Sequence, residues 1–299
     1  MLPKASVVAL NWNGGKSIKL CIDSILKQTY KNLEIILVDN ASTDGSYEFA
    51  LKNKRIKVVR NSENLGAAGG YNTGYANSTG KYVILISHDS ILDKNCVKEL
   101  VKGMEDDKTL GCAEGVCRHH DGKVYNSNLN VLFFNTPQNE NVKKKAYPGL
   151  PVIIKKSCLD SYTDSDYFFY GEDVYCGLMV NIKGYKCKRI MKAEVLHEGS
   201  PTVKRKPKFY RYLDERNRWV NYFIFYEKRT IMRYFGHNII FSLGRLLNGL
   251  RTGYFSSFVR AYFWILSHPH IICKKRRYVQ RQRKVKDAEM VKELSRKIF

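Results

Sequence analysis

Four short runs dominate the first 110 residues: 6–11 (SVVALN), 33–39 (LEIILVD), 56–60 (IKVVR) and 81–87 (KYVILIS). Each is apolar almost without a break and rich in Val and Ile. A strand with one wet face alternates polar and apolar residues, whereas a strand covered on both faces reads as these do. Helical patterns lie between the runs. Ile18, Ile22 and Ile25 recur at i, i+4 and i+7, and Cys96, Leu100 and Met104 at i, i+4 and i+8, with Val97 and Val101 as a second row. The alternation predicts an α/β fold, an open parallel sheet flanked by helices with right-handed crossovers. Ligands of such a sheet bind beyond the carboxyl ends of its strands.

Those ends are polar or glycine-rich. The first runs into Asn11-Trp12-Asn13-Gly14-Gly15 and the second into Asp39-Asn40-Ala41-Ser42-Thr43-Asp44-Gly45. The third continues to the block from Asn64 to Gly74 (NLGAAGGYNTG), and the fourth ends in Ser87-His88-Asp89-Ser90. Turns alone do not need so many Asn, Asp and Gly. A dinucleotide site would need G-x-G-x-x-G after the first strand, and a P-loop would need G-x-x-x-x-G-K-[ST]; neither is present. Asp39 suits a ribose hydroxyl or a base N–H, or else caps its own turn. Asp89 suits a divalent cation bridging a diphosphate, or else caps the next helix, a role open to Asp93 as well. His88 is a possible second ligand.

Residues 110–150 show little pattern, and 126–141 reads as an irregular or lid-like insertion. Order returns with a strand at 151–154. Next comes Asp166-Tyr167-Phe168-Phe169-Tyr170-Gly171-Glu172-Asp173, then a helical pattern at Val174, Leu178 and Ile182 that Gly184 is placed to end. Runs 188–191 and 193–197 follow, closing at His197. Glu172-Asp173 at a helix start is stabilised by the helix dipole, and can equally serve as a general base toward an acceptor hydroxyl. His197 reads as a core or surface histidine, or as a ligand.

Taken in order, ALNWNGG, QTYKNLEIILVDNASTDGS, NLGAAGGYNTG, HDS, FFYGEDV, GY and LHEGS resemble the inverting family 2 glycosyltransferases of GT-A fold, nearest the rhamnosyltransferase-like branch that builds cell-surface polysaccharides. The resemblance spans residues 3–220. It implies a catalytic domain at 1–205 and transfer of a sugar from a nucleotide-diphosphate sugar to a glycan or lipid-linked acceptor by a single inverting displacement. It implies Asp173 as catalytic base with Glu172 as its acceptor-side neighbour. Asn11, Asp39, Asn40, Ser42, Asn64, Gly66, Gly70 and Asn72 fall at donor-binding positions, and Arg216, of the Arg216-Asn217 pair, at one near the diphosphate. Asp89 and His197 match positions that hold Mg2+ or Mn2+. Three departures stand out. Ser87-His88-Asp89 keeps a single aspartate of the D-x-D-like motif, Tyr175 replaces an aspartate after Glu-Asp-Val, and 161–166 (SYTDSD) replaces a Gly-Gly-Phe-Asp-Glu element. The thin metal motif leaves open a catalytically inactive member of the fold, and the charge leaves open a basic binding module.

That charge is uneven. The chain carries +23, yet residues 201–299 hold 24 Lys+Arg against 6 Asp+Glu, a net of +18. Ile239, Leu243, Leu246, Leu247 and Leu250 have amphipathic helical spacing, as do Phe255, Phe258, Val259, Tyr262, Phe263 and Leu266. Lys274-Lys275-Arg276-Arg277 and 281–286 (RQRKVK) follow. The region 206–299 thus reads either as helices covering the catalytic domain or as a part that docks on an anionic membrane surface. No nucleic-acid-binding motif accompanies the charge, so nucleic acid is not expected as a partner. The most apolar stretch, 254–273, contains Arg260 and does not read as a membrane span. The opening residues enter a strand and lack the pattern of a signal peptide. The 8 scattered cysteines, with no C-x-x-C pair, read as free thiols of a reducing cytosol. Together these features predict a cytoplasmic protein, peripheral on the cytoplasmic face of the membrane.

Overall fold

The computed structural model describes residues 1–119, 124, 144–145, 148–197 and 207–294. The first three parallel strands are β1 (Ala5–Asn11), β2 (Leu33–Asp39) and β3 (Ile56–Arg60). They are joined by β4 (Tyr82–Ser87), β5 (Ser90–Leu92), β6 (Leu110–Arg118), β7 (Lys144–Lys145), β8 (Val152–Lys155) and β9 (Lys186–His197). The sheet order is β3-β2-β1-β4-β8-β6-β9-β5, with β7 pairing β9.

The near-continuous apolar runs are explained by a core on each face. Val8, Leu10, Ile36, Val38, Val83 and Leu85 point to one core. Their alternates Val7, Ala9, Ile35, Leu37, Ile84 and Ile86 point to the other. The second face is covered by α1 (Ser17–Leu26) and α4 (Cys96–Asp106) through Ile18, Ile22, Ile25, Val97, Leu100 and Met104. A short α2 (Glu48–Leu51) lies between β2 and β3.

The glycine-rich block forms a helix, α3 (Gly66–Asn77). Its glycines serve close packing. A Cβ at Gly70 would meet Leu10 Cδ1 at 2.4 Å and one at Gly74 would meet Val8 Cγ1 at 2.2 Å. Without side chains there, the helix lies directly on β1.

The parallel sheet predicted from the first half ends at β4. Beyond it β8 pairs antiparallel with both β4 and β6, and β5 antiparallel with β9, while β6 and β9 run parallel. The sheet is therefore mixed. The runs at 188–191 and 193–197 are one strand, β9, whose pairing with β6 shifts register at two irregularities. Glu114 on β6 and Arg189 on β9 form a buried ion pair, Nε to Oε1 2.6 Å. The helix α5 (Glu172–Ile182) ends as predicted, with Gly184 left-handed at φ +85°.

Among the described residues five helices follow: α6 (Pro207–Phe225), α7 (Lys228–Thr252), α8 (Phe255–Ser267), α9 (Pro269–Arg281) and α10 (Asp287–Leu294). Part of the basic tail turns inward. Arg276 Nη1 donates to the carbonyl of Tyr226 at 2.7 Å, and Gln280 Nε2 to those of Ile224 and Phe225 at 2.8 and 2.9 Å. These groups satisfy carbonyls at and just beyond the carboxyl end of α6 that the helix leaves open. The expected insertion at 126–141 lies outside the described residues. All eight cysteines are free thiols.

Candidate active site

Register brings the strand ends level: Asn11 lies beside Asp39, Asp39 beside Arg60, and Leu10 beside Ser87. Asp39 is fully buried. Its Oδ1 accepts from Asn11 Nδ2 at 3.0 Å. Its Oδ2 accepts from the Ser42 N–H and Arg60 Nε, both at 3.1 Å. Asn11 Nδ2 also reaches Ser42 Oγ (3.1 Å) and Ser46 Oγ (2.9 Å), while its Oδ1 is buried with no hydrogen-bond partner. Asn40 Nδ2 donates to Asn64 Oδ1 at 2.8 Å and to the Gly66 carbonyl at 3.0 Å. Asn40 Oδ1 accepts from Asn61 Nδ2 at 2.9 Å. The Asn and Asp residues at these ends thus knit three loops into one rigid floor.

Asp89 sits in the tight connection between β4 and β5 and is 4% exposed. Ser87 Oγ donates to its Oδ1 at 2.5 Å, and His197 Nε2 lies 3.3 Å from the same oxygen. The antiparallel pairing of β5 with β9 sets Ser90 opposite His197, which is how a residue far along the chain arrives here. The N-cap of α4 is Asn95, not Asp89, and Asp93 closes the turn before it. The Asp93 carboxylate accepts from the Asn95 N–H at 2.9 Å and its carbonyl from the Cys96 N–H at 2.9 Å. Asp89 Oδ2 is buried without a partner. A buried carboxylate oxygen so left is costly unless a cation or donor meets it. Asp89 and His197 therefore fit a divalent cation as a pair. Among the described residues no group of three or more His, Cys, Asp or Glu is poised to hold a metal. Ligand oxygens would have to complete such a site. Burial holds the neighbouring His88 below the ordinary histidine pKa, with the charge of Asp89 opposing and His197 adding to the drop.

The opposite wall is an aromatic loop. Phe168 and Tyr170 have φ of +59° and +64°, and Gly171 has +81°. Left-handed non-glycine residues cost roughly 1–3 kcal/mol each and persist only where surroundings hold them. Helix α6 does so. Asn217 Nδ2 donates to the carbonyls of Tyr167, Phe169 and Tyr170 at 3.0, 3.1 and 2.7 Å. Tyr167 Oη donates to Asn221 Oδ1 at 2.7 Å, and Asn221 Nδ2 to the Gly171 carbonyl at 3.2 Å. From the other side the Ala68 N–H donates to the Phe168 carbonyl at 3.1 Å. Gly66 makes this approach possible, since a Cβ there would lie 2.2 Å from that oxygen.

The loop delivers Glu172 and Asp173 as the first turn of α5. Burial pushes the Glu172 carboxyl up to about 8, with the charge of Asp173 adding and a backbone hydrogen bond opposing. Its Oε2 has no hydrogen-bond partner. Asp173 Oδ1 accepts from the Val174 N–H at 2.7 Å.

A cavity of about 370 Å³ lies between these walls. Of the sequence candidates, Asn40, Asn64, Gly66, Asp89, Glu172 and His197 line it, together with His88. Asn11, Asp39 and Ser42 are in the hydrogen-bonded layer behind. Gly70 faces Leu10. Asn72 grips Thr163, taking its N–H at 3.1 Å and donating to its carbonyl at 2.9 Å. Arg216 donates to the Asp166 carbonyl at 2.6 Å, with its guanidinium over the Tyr212 and Trp264 rings. Gly70, Asn72, Asp173 and Arg216 are not among the lining residues. Sequence reasoning overlooked Trp12, Tyr71, His119 and Tyr210 in the wall. It also missed the clamp by Asn217 and Asn221, whose signal was two amides four residues apart on the buried face of an aromatic helix.

A sequence profile described as Glycosyl transferase family 2 matches residues 6–160. Glycosyltransferase GlyG of Streptococcus pneumoniae is 37% identical over 105 residues, 34% of this chain and 35% of that protein. WfgD of Escherichia coli, named a UDP-Glc:alpha-D-GlcNAc-diphosphoundecaprenol beta-1,3-glucosyltransferase, is 26% identical over 192 residues, 61% of this chain and 73% of that one. The chain spans only 15–35% of the length of GlyG and two further curated relatives. Among solved structures, the mannosyltransferase PcManGT of Pyrobaculum calidifontis, in complex with GDP-Man and Mn2+, superposes with a TM-score of 0.59 at 17% identity. The match covers 98% of this chain and 86% of that one, and shows a common fold.

Proposed function

The chain belongs to glycosyl transferase family 2 and has the GT-A fold, and on that premise we propose that it transfers a sugar from a nucleotide-diphosphate sugar to an acceptor hydroxyl with inversion. The observation that carries this reading is one cavity lined both by Asp89, buried with an unpartnered oxygen, and by Glu172 at the head of α5. The donor lies over the strand ends. Asn40, Asn64 and Gly66 meet it directly, while Asn11, Asp39, Ser42, Gly70, Asn72 and Arg216 hold the surfaces on which it rests. Asp89 and His197 would hold Mg2+ or Mn2+, which would neutralise charge on the diphosphate. PcManGT carries GDP-Man and Mn2+ together, which supports a divalent ion here.

Asp173 takes the proton of the acceptor hydroxyl. The acceptor oxygen forms its bond to the anomeric carbon as the bond from that carbon to the diphosphate oxygen breaks, and the diphosphate leaves with the electron pair. Glu172, kept neutral by burial, is a hydrogen-bond donor on the acceptor side. WfgD is named for an acceptor on diphosphoundecaprenol, which supports a lipid-linked or polysaccharide acceptor. Catalysis belongs to residues 1–205, and 206–299 attach the protein peripherally to the cytoplasmic face of a membrane. No helix of the described residues is long and apolar enough to cross one. The test is Asp173→Asn, which should abolish transfer while nucleotide-sugar binding, followed by thermal shift with Mn2+ or Mg2+, stays nearly intact. Transfer persisting in that variant would refute the assignment of the base.

A further inference from the structure

We propose that the outward apolar stripes of α7 and α8 are inserted into the surface of an anionic bilayer, so that α7 lies along the membrane. This deepens, and rests on, the peripheral attachment proposed above by naming the face that makes it. Met232, Ile240, Leu247 and Leu250 of α7 are 61–80% exposed, and Phe263 and Leu266 of α8 are 71% and 80% exposed. Their spacing keeps each set on one side of its helix. The inner side of α7 is already committed. Arg218 of α6 donates to Asn238 Oδ1 at 2.8 Å and Ser242 Oγ at 2.7 Å, and a Cβ at Gly249 would meet the Phe258 ring of α8 at 2.9 Å. The apolar side therefore cannot be the face that packs inward.

The charge of this segment selects the occupant. From Lys228 to Lys286 the chain carries fourteen Lys and Arg and no Asp or Glu. Arg229, Arg233 and Arg251 of α7 are exposed, as are Lys274, Arg277 and Arg281 of α9. A second copy of the chain would bring like charges together, whereas an anionic lipid surface complements both the apolar stripe and the basic residues. The 25 residues of α7 would be long enough to span a bilayer. They are not apolar enough, so the helix lies along the surface. The arrangement also serves the site. On its inner side α8 places Ala261 and Trp264 in one cluster with Phe168, Phe169 and Tyr170. Those three residues wall the cavity. Docking thus holds the cavity wall one helix away from the lipid, where an acceptor with its carrier in the bilayer can reach it.

The experiment is flotation of the full chain with vesicles of phosphatidylcholine containing phosphatidylglycerol, and with phosphatidylcholine alone. The wild type should float with the anionic vesicles at low salt. Leu247→Asp with Phe263→Asp should lower partitioning on the order of 100-fold or more. Lys274→Ser, Arg277→Ser and Arg281→Ser together should lower it by about 5-fold per charge, on the anionic vesicles only. Leu243→Ser with Leu247→Ser is a milder pair should the aspartates disturb folding, which circular dichroism melting reports. If the wild type does not float, the peripheral reading itself fails. If it floats and both apolar variants float equally well, attachment is by charge alone and the inserted face is refuted. A lipid-free dimer that the apolar substitutions dissolve, seen by light scattering, would make the face a self-interface and overturn the proposal.

Discussion

Replacing Asn217 by Ala tests whether the aromatic loop is positioned by α6 or merely rests on it. One side-chain amide, itself 1% exposed, serves three carbonyls of residues 167–170. Each such hydrogen bond contributes about 1 kcal/mol net, and a buried carbonyl left without a partner costs about 1–3 kcal/mol. Because two amide protons are shared among three acceptors, the loss is about 2–4 kcal/mol. The loop also holds Phe168 and Tyr170 at positive φ, which stores roughly 2–6 kcal/mol between them. Clamp and strain are of the same size, so removing the clamp lets the loop relax and moves Glu172 and Asp173 with it. The expected result is a fall in kcat of about 10–100-fold, with donor KM nearly unchanged because the proposed donor floor belongs to β1, β2 and α3. The melting temperature should fall by roughly 5 °C or more. The assay is steady-state transfer with donor and acceptor varied separately, beside a thermal melt. A lowered melting temperature with unchanged kcat would show that the clamp only stabilises, and would refute the positioning argument.

Three further outcomes are expected. Glu172 ionises at about 8 in the fold against an ordinary 4.5, so its contribution to stability is fully present below pH 4.5 and is lost as pH rises through 8. Between those values it contributes a slope of up to about 1.4 kcal/mol per pH unit, and Glu172→Gln should remove that slope in denaturant titrations at pH 5 and pH 8; an unchanged slope would count against a neutral Glu172. Arg189→Met strands the Glu114 carboxylate in the interior and should cost about 3–5 kcal/mol by urea unfolding, a loss that Glu114→Gln in the same chain should partly recover. Gly66→Ala would set a Cβ 2.2 Å from the Phe168 carbonyl at a φ of +69° and should cost about 2–4 kcal/mol, with a drop in transfer that a neutral result at this position would contradict.

The legible part of this protein was whatever depends on local covering and local chemistry. The strands β1, β2, β3 and β4 were readable because a strand buried on both faces has no polar alternation to hide it, and the helix at Glu172–Ile182 because its apolar spacing ends on Gly184. Of the candidate residues, Asn40, Asn64, Gly66, Asp89, Glu172 and His197 line one cavity, because strand ends and a helix start place polar groups at one edge. Helix α3 was obscured because its glycines erase amphipathic spacing, and they are there to let β1 come close, which a one-dimensional pattern does not express. The antiparallel insertion of β8 between β4 and β6 was also illegible, since apolar runs do not state a partner or a direction.

The sequence by itself thus determined the α/β class, the edge of the sheet where polar and glycine-rich strand ends gather, and the contrast between a nearly balanced first part and a basic tail. These follow from periodicity, residue type and charge. Tertiary structure alone decided which of those residues meet. His197 reaches Asp89 because β5 and β9 pair in one register. Arg216 and Asn217 reach the loop that leads into Glu172 and Asp173, bonding carbonyls of residues 166–170. The basic tail divides into residues that cap α6 and residues that flank an open apolar stripe. Each outcome depends on long-range pairing, where hydrogen-bond register and packing, rather than any local preference, choose the partner.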